Sequence, residues 1–188
     1  INEAAIAAVK NGRNVVTQKD LLGAFDTVVA GKEKKERVLS KKEKQVVAYH
    51  EIGHALIRAI KNNSDPVQKI TIIPHTNGSL GYVLNFPEEE KHLETKDELM
   101  TDLISLVGGR AAEEVVFGKE NITTGASSDI YTANRHARDI VTKYGMDDEF
   151  GLIIPYERDI ITEAKATEKV KEILDDSYEV AKKLISDN

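Results

Sequence analysis

The segment His50-Glu51-Ile52-Gly53-His54 lies within a stretch where Val46, Val47, Ile52 (or Gly53), Ala55, Leu56 and Ala59 recur at helical spacing. Ser40 offers a capping side chain before it, and Asn62-Asn63-Ser64-Asp65-Pro66 is expected to stop it. In a helix, positions i and i+4 lie one above the other on a single face, so this segment brings both imidazoles within reach of one metal ion. The chain has no cysteine and 5 histidines, so a metal site must be built from imidazoles and carboxylates. Zn2+ suits that donor set, and a catalytic zinc keeps one position open for water. Glu51 is placed to touch such a water rather than the metal. Water activated to a pKa of about 7 can attack a peptide carbonyl, with Glu51 taking the proton as general base and passing it to the leaving amine. The competing reading is a surface helix with His and Glu side by side. Tyr49, Ile52, Ala55 and Leu56 flank the pair with apolar residues and disfavour a solvated face.

The remaining composition narrows the class. A length of 188 residues allows one large domain, or one domain with a fragment of another. With 4 Phe, 6 Tyr and no Trp, the core must rest on Ile, Leu, Val and Ala, which favours helices packed on helices. A formal charge of −6 argues against nucleic-acid binding, which needs a basic face. No apolar run approaches the roughly 20 residues of a membrane span, so a chain soluble by itself, without membrane contact, is expected.

Helices are expected over residues 1–10 and, after a capping box at Thr17 and Asp20, over 18–30. Gly31 and the charged stretch to Arg37 form the best boundary. The β signal is Val67, Ile70, Ile72 and Ile73, a turn at Asn77-Gly78, and a returning strand over Leu80–Leu84. Helices are expected again over Thr95–Val107, Gly109–Phe117 and Ser127–Tyr144, with a loop over Asp147–Arg158 and a charged amphipathic helix from about Thr162 to the end. The fold class is therefore mainly α, with one small β-sheet or hairpin.

A third metal ligand must come from a later element. Glu113 and Glu114 are one candidate pair, although Glu114 also stands at salt-bridge spacing from Arg110. Asp129 is the other, although an acid in the first turn of a helix is favoured by the dipole alone. Composition and spacing leave these nearly even.

Glu33-Lys34-Lys35-Glu36-Arg37, Ala48–Leu56, Ile72-Ile73-Pro74, Leu80-Gly81-Tyr82, Gly108–Glu114, Thr123–Asp129 and Val141–Met146 occur together and in order. In this the chain resembles the proteolytic domain of FtsH-type membrane-anchored, ATP-dependent zinc metalloproteases. The resemblance implies a helical zinc metallopeptidase over residues 32–188, C-terminally truncated, preceded by residues 1–31 as the remnant of an AAA+ ATPase lid plus linker. It implies Asp129 as the third ligand beside His50 and His54, with Glu51 catalytic. ATP would act only through an ATPase module absent from this chain, which carries no phosphate-binding loop motif. Implied too are unfolded or membrane-protein substrates, a homohexamer in the full-length protein, and a place on the cytoplasmic face of a bacterial inner membrane or its organelle equivalent. By analogy, substrate would pair in extended form with an edge strand, Ile70–Ile73 or Gly81–Leu84. The sequence departs from the family pattern at Ile52, at His75–Ser79 and at His136, which is either a partner to the site from further out or an unrelated histidine. The alternative function is a helical ring-assembly module with a structural or vestigial metal site, supported by the amphipathic helix over 162–186.

Overall fold

The computed structural model describes residues 1–34, 39–61, 65–76, 78–85, 91–153 and 160–188. The helix stop at 62–64, the turn residue Asn77, residues 154–158 of the expected loop and residues 35–37 of the charged segment lie outside the described residues. Within them are six α-helices and one antiparallel pair of strands, so the mainly α expectation holds. The helices are α1 (Asn2–Lys10), α2 (Gln18–Ala30), α3 (Lys41–Ile60), α4 (Lys96–Phe117), α5 (Ser127–Thr142) and α6 (Ile160–Ser186). The strands β1 (Val67–Thr71) and β2 (Tyr82–Asn85) stand between α3 and α4, and two single-turn 3-10 helices link α4 to α5. No helix among the described residues is long and apolar enough to cross a membrane.

The starts of the helices are written locally. Ser40 accepts from the Glu43 N–H at 3.2 Å, while the Glu43 carboxylate accepts from the Ser40 N–H at 2.7 Å. Thr95 and Glu98 repeat this reciprocal pairing at the start of α4. At α2 the shorter Asp20 serves in place of glutamate, accepting from the Thr17 N–H at 2.8 Å and from both arms of the Arg13 guanidinium. Each device satisfies backbone donors that the first turn leaves without partners.

α4 is the centre of the fold, with α3, α5 and α6 packed around it. Ile57 from α3, Leu103 and Ala111 from α4, Ile140 and Val141 from α5, and Ala166 and Ala181 from α6 are essentially solvent-free. Burying a side chain the size of Leu or Ile contributes about 1.5–3 kcal/mol. The core is aliphatic, as the shortage of aromatics requires.

In one respect the sequence expectation is corrected. Two helices meeting at Gly108-Gly109 were expected, yet α4 runs unbroken through both glycines. The reason is tertiary. A Cβ at Gly53 would lie 2.4 Å from the Gly108 carbonyl oxygen and 2.7 Å from the Ala112 Cβ, and a Cβ at Gly108 would lie 2.6 Å from Ile57 Cδ1. The two backbones touch where α3 and α4 cross, and that contact offsets the poor helix propensity of glycine. The strand limits also differ slightly: β1 ends at Thr71, before Ile72 and Ile73, and β2 begins at Tyr82.

Two outcomes follow from these contacts. Gly53→Ala forces backbone apart at the crossing and is expected to cost about 1–3 kcal/mol. Gly23→Ala on exposed α2, where an added Cβ meets nothing within 4 Å, should be neutral or stabilising by up to about 1 kcal/mol. Thermal unfolding of the two variants reads the difference in sign. Separately, the Lys91 ammonium and the Thr95 N–H and hydroxyl hold the Glu98 carboxyl down to about 2. A depressed acid stabilises the fold above its unfolded value of about 4.3, and that contribution is lost as pH falls from there through about 2. The melting-temperature gap between wild type and Glu98→Gln should therefore close across that window.

Candidate metal centre

His50 and His54 leave α3 on the side facing α4, and each imidazole is held by its Nδ1. His54 Nδ1 donates to the Ser105 carbonyl at 2.7 Å. A carbonyl can only accept, so Nδ1 carries the proton and the neutral ring presents a lone pair at Nε2. His50 Nδ1 stands 2.8 Å from Glu113 Oε1, which directs its Nε2 the same way. The two rings meet edge to face, with Nε2 atoms 3.1 Å apart. Gly109 makes room for them: a Cβ there would lie 2.5 Å from His50 Nε2 and 2.6 Å from His54 Nε2.

Asp129 closes the group from the first turn of α5. Its Oδ2 is 3.2 Å from His50 Nε2 and 3.6 Å from His54 Nε2. The loop that delivers it is tied to the same machinery, because Glu113 Oε2 accepts from the Thr123 N–H at 2.7 Å. Thr123 Oγ1 in turn accepts from the Gly125 N–H at 3.2 Å, turning the chain into α5. Glu113 is thus 1% exposed and spends one oxygen on a histidine and the other on the loop carrying Asp129.

The donor set fits a tetrahedral cation. Metal–ligand bonds of about 2.0–2.2 Å imply ligand–ligand edges of about 3.3–3.6 Å in a tetrahedron. The edges here are 3.1, 3.2 and 3.6 Å. Two imidazole nitrogens this close, with lone pairs facing one another, need a cation or a shared proton between them. In the protein without metal, burial pulls His50 towards its neutral form, but its contacts with Asp129 and Glu113 outweigh this and raise its pKa. Burial likewise disfavours the Asp129 anion, yet hydrogen bonding to His50 and His54 wins and holds it well below the usual carboxylate range.

Glu51, also buried, is not among the converging donors. Its carboxylate packs on Gly81, where an added Cβ would lie 2.7 Å from Glu51 Oε1 and 2.6 Å from the Thr71 carbonyl oxygen. Burial raises its pKa, against the pull of His54 and His50. The expected set His50, His54, Asp129 and Glu51 is therefore brought together. Glu113 is adjacent, with both oxygens already engaged. Glu114 points elsewhere: it accepts from Tyr178 at 2.6 Å and pairs with Lys182 at 3.5 Å, joining α4 to α6 rather than pairing with Arg110 as its spacing suggested. His136 is outside the group, with a buried Nδ1 that has no hydrogen-bond partner among the described residues. Spacing could not reveal the Ser105 carbonyl or the double role of Glu113. Gly81 and Gly109, each inside a segment already singled out, were local traces of close packing on the site.

A helix carrying two histidines and a glutamate, completed by an acid from a later helix, defines the HExxH class of metallopeptidase folds. Residues 37–188 match the model of peptidase family M41, and the chain belongs to that family. It is 54% identical over 153 residues to the ATP-dependent zinc metalloprotease FtsH of Clostridium perfringens, an alignment covering 81% of this chain and 21% of that protein. It is 50% identical over 153 residues to the protein of the same name from Lancefieldella parvula, covering 81% and 23%. Identity to the Thermotoga maritima protein of that name is 41% over 201 residues, covering 98% and 33%. The chain thus spans about a fifth to a third of the length of these relatives.

Since Glu113 orients His50 and anchors the Thr123 loop, Glu113→Ala should weaken zinc binding by about 10- to 100-fold, as loss of an outer hydrogen-bond partner does at other zinc sites. Competition against a fluorescent chelator measures this. Glu114→Ala should leave zinc affinity unchanged.

Proposed function

We propose that this chain is the proteolytic part of an ATP-dependent zinc metalloprotease, an endopeptidase whose zinc is held by His50, His54 and Asp129 and whose general base is Glu51. The observation that carries this reading is the convergence of three donor atoms at tetrahedral spacing beside a buried, unligated glutamate. The zinc named in its relatives suits these donors and, when bound, supplies Lewis acidity that brings water's pKa towards about 7 and polarises a carbonyl oxygen.

The chain's own residues do the rest. Ser105 and Glu113 fix the two rings so that both Nε2 atoms face one point. Asp129 enters as an anion at neutral pH, because its imidazole contacts hold it ionised. Glu51 accepts the proton of the attacking water on its carboxylate and returns it to the leaving amine nitrogen. Burial that raises its proton affinity makes it a stronger base than a solvated glutamate. The two-stranded sheet beside it has backbone edges that suit main-chain pairing with an extended peptide, giving sequence-tolerant recognition.

Of the whole protein, we propose that residues 1–31 belong to an ATPase lid and linker and residues 32–188 to the peptidase. The family match beginning at residue 37 supports that division. Unfolded or membrane-protein substrates, a membrane-anchored homohexamer and the cytoplasmic face of the membrane follow from the FtsH resemblance. The other reading, an assembly module with a structural metal, is less favoured because a closed structural zinc takes four protein ligands and the group has three among the described residues.

Glu51→Gln should retain zinc while losing about 10²- to 10⁴-fold in casein or peptide hydrolysis. Asp129→Ala should lose both zinc and activity, and chelation should silence the wild type reversibly. Full proteolysis by Glu51→Gln would overturn the assignment, as would normal zinc content in Asp129→Ala.

A further inference from the structure

We propose that Asp26, on α2 and outside the residues that match the peptidase family, is a positioning residue for the peptidase site. It clamps both strands of the sheet and thereby holds Gly81 against Glu51. This rests on the role given to Glu51 above.

Asp26 Oδ2 accepts from the Lys69 ammonium at 2.6 Å, and Asp26 Oδ1 accepts from the Tyr82 hydroxyl at 2.9 Å. Lys69 belongs to β1 and Tyr82 to β2, two registers apart on the ladder. One carboxylate therefore bridges the two strands from outside the sheet. Lys69 is partly exposed, but the Tyr82 arm is more enclosed: its ring packs edge to face on His75, which is 3% exposed and donates from Nδ1 to the Ile73 carbonyl at 2.6 Å.

The linker after α2 reinforces the clamp. Residues 32–34 run antiparallel to 74–76, with the Lys34 N–H on the Pro74 carbonyl at 2.8 Å and the Thr76 N–H on the Lys32 carbonyl at 2.9 Å. The backbone after β1 is thus fixed by the segment that follows α2. Tyr82 is covalently next to Gly81, whose close fit between the Thr71 carbonyl and the Glu51 carboxylate leaves no room for a side chain. The path from α2 to the general base is three contacts long: Asp26 to Tyr82, Tyr82 to Gly81 through the chain, and Gly81 to Glu51. A shift of α2 that breaks the first link releases the wall against which Glu51 is held.

The test compares wild type, Asp26→Ala, Asp26→Glu and Tyr82→Phe in the full-length protein. Peptide hydrolysis is normalised to active sites titrated with a tight hydroxamate, and hydrogen–deuterium exchange is followed over residues 71–85. Asp26→Ala should lower kcat per active site about tenfold, with KM changed less than about twofold, because a misplaced base slows chemistry without weakening binding. Asp26→Glu should recover most of kcat, and Tyr82→Phe should fall between. Exchange over 71–85 should quicken in Asp26→Ala with or without zinc. A wild-type kcat in Asp26→Ala, a loss confined to KM, or no recovery in Asp26→Glu would overturn the proposal. Unchanged exchange would overturn it even if the chain proved not to hydrolyse peptides, whereas quickened exchange in a protein without peptidase activity would sink the proposed function and leave the clamp standing.

Discussion

The contact between the backbones of α3 and α4 at Gly53 and Gly108 governs the rest of the molecule. Side chains at either position would hold the helices apart, since even a Cβ at Gly53 would approach a carbonyl oxygen to 2.4 Å. The metal helix carries its histidines one residue and three residues from Gly53, so the depth of that crossing determines whether His54 reaches the Ser105 carbonyl and His50 reaches Glu113. Close packing also places Gly109 against the imidazole edges. Helix propensity is sacrificed at α4, and ring orientation is gained at α3.

From that crossing the site grows outward through one carboxylate. Glu113 faces His50 with one oxygen and the Thr123 backbone with the other, so the ring and the loop leading to Asp129 share a single support. A metal site assembled from residues far apart in the chain needs such a common reference. Without it, α5 could shift by an ångström while each helix stayed intact. The aliphatic contacts among Leu103, Ala133, Ala137 and Ile140 hold α5 to α4 but are tolerant of small slips, and hydrogen bonds at 2.7–2.8 Å are not.

This division explains what could be read from the chain and what could not. Caps at Ser40, Thr95 and Thr17 act over three residues, and the His50–His54 pairing over four, so local spacing was enough to place those helices and their metal-facing pair. Continuity of α4 through Gly108-Gly109 depends on a partner backbone over fifty positions away, and local rules broke the helix there instead. The pair Glu113 and Glu114 stood nearly even with Asp129 as the source of a third donor for the same reason. Nothing along the chain says which carboxylate Thr123 will engage, and only the family resemblance separated them. Asp26 carried no signal at all, because a whole helix separates it from Lys69, and β1 lies further between it and Tyr82.

Charge gives the arrangement its direction. Asp129, Glu113 and Glu51 bring three carboxylates to two neutral-capable imidazoles, an excess of negative charge that a low-dielectric pocket does not tolerate unaided. Two of these acids have imidazole partners. Glu51 alone is left to answer burial by holding its proton more tightly. A divalent cation held by His50, His54 and Asp129 would offset two of these three negative charges. Glu51 lies outside the donor group, buried and backed by Gly81, where a side chain has no room, and that placement suits the proton transfer proposed for it.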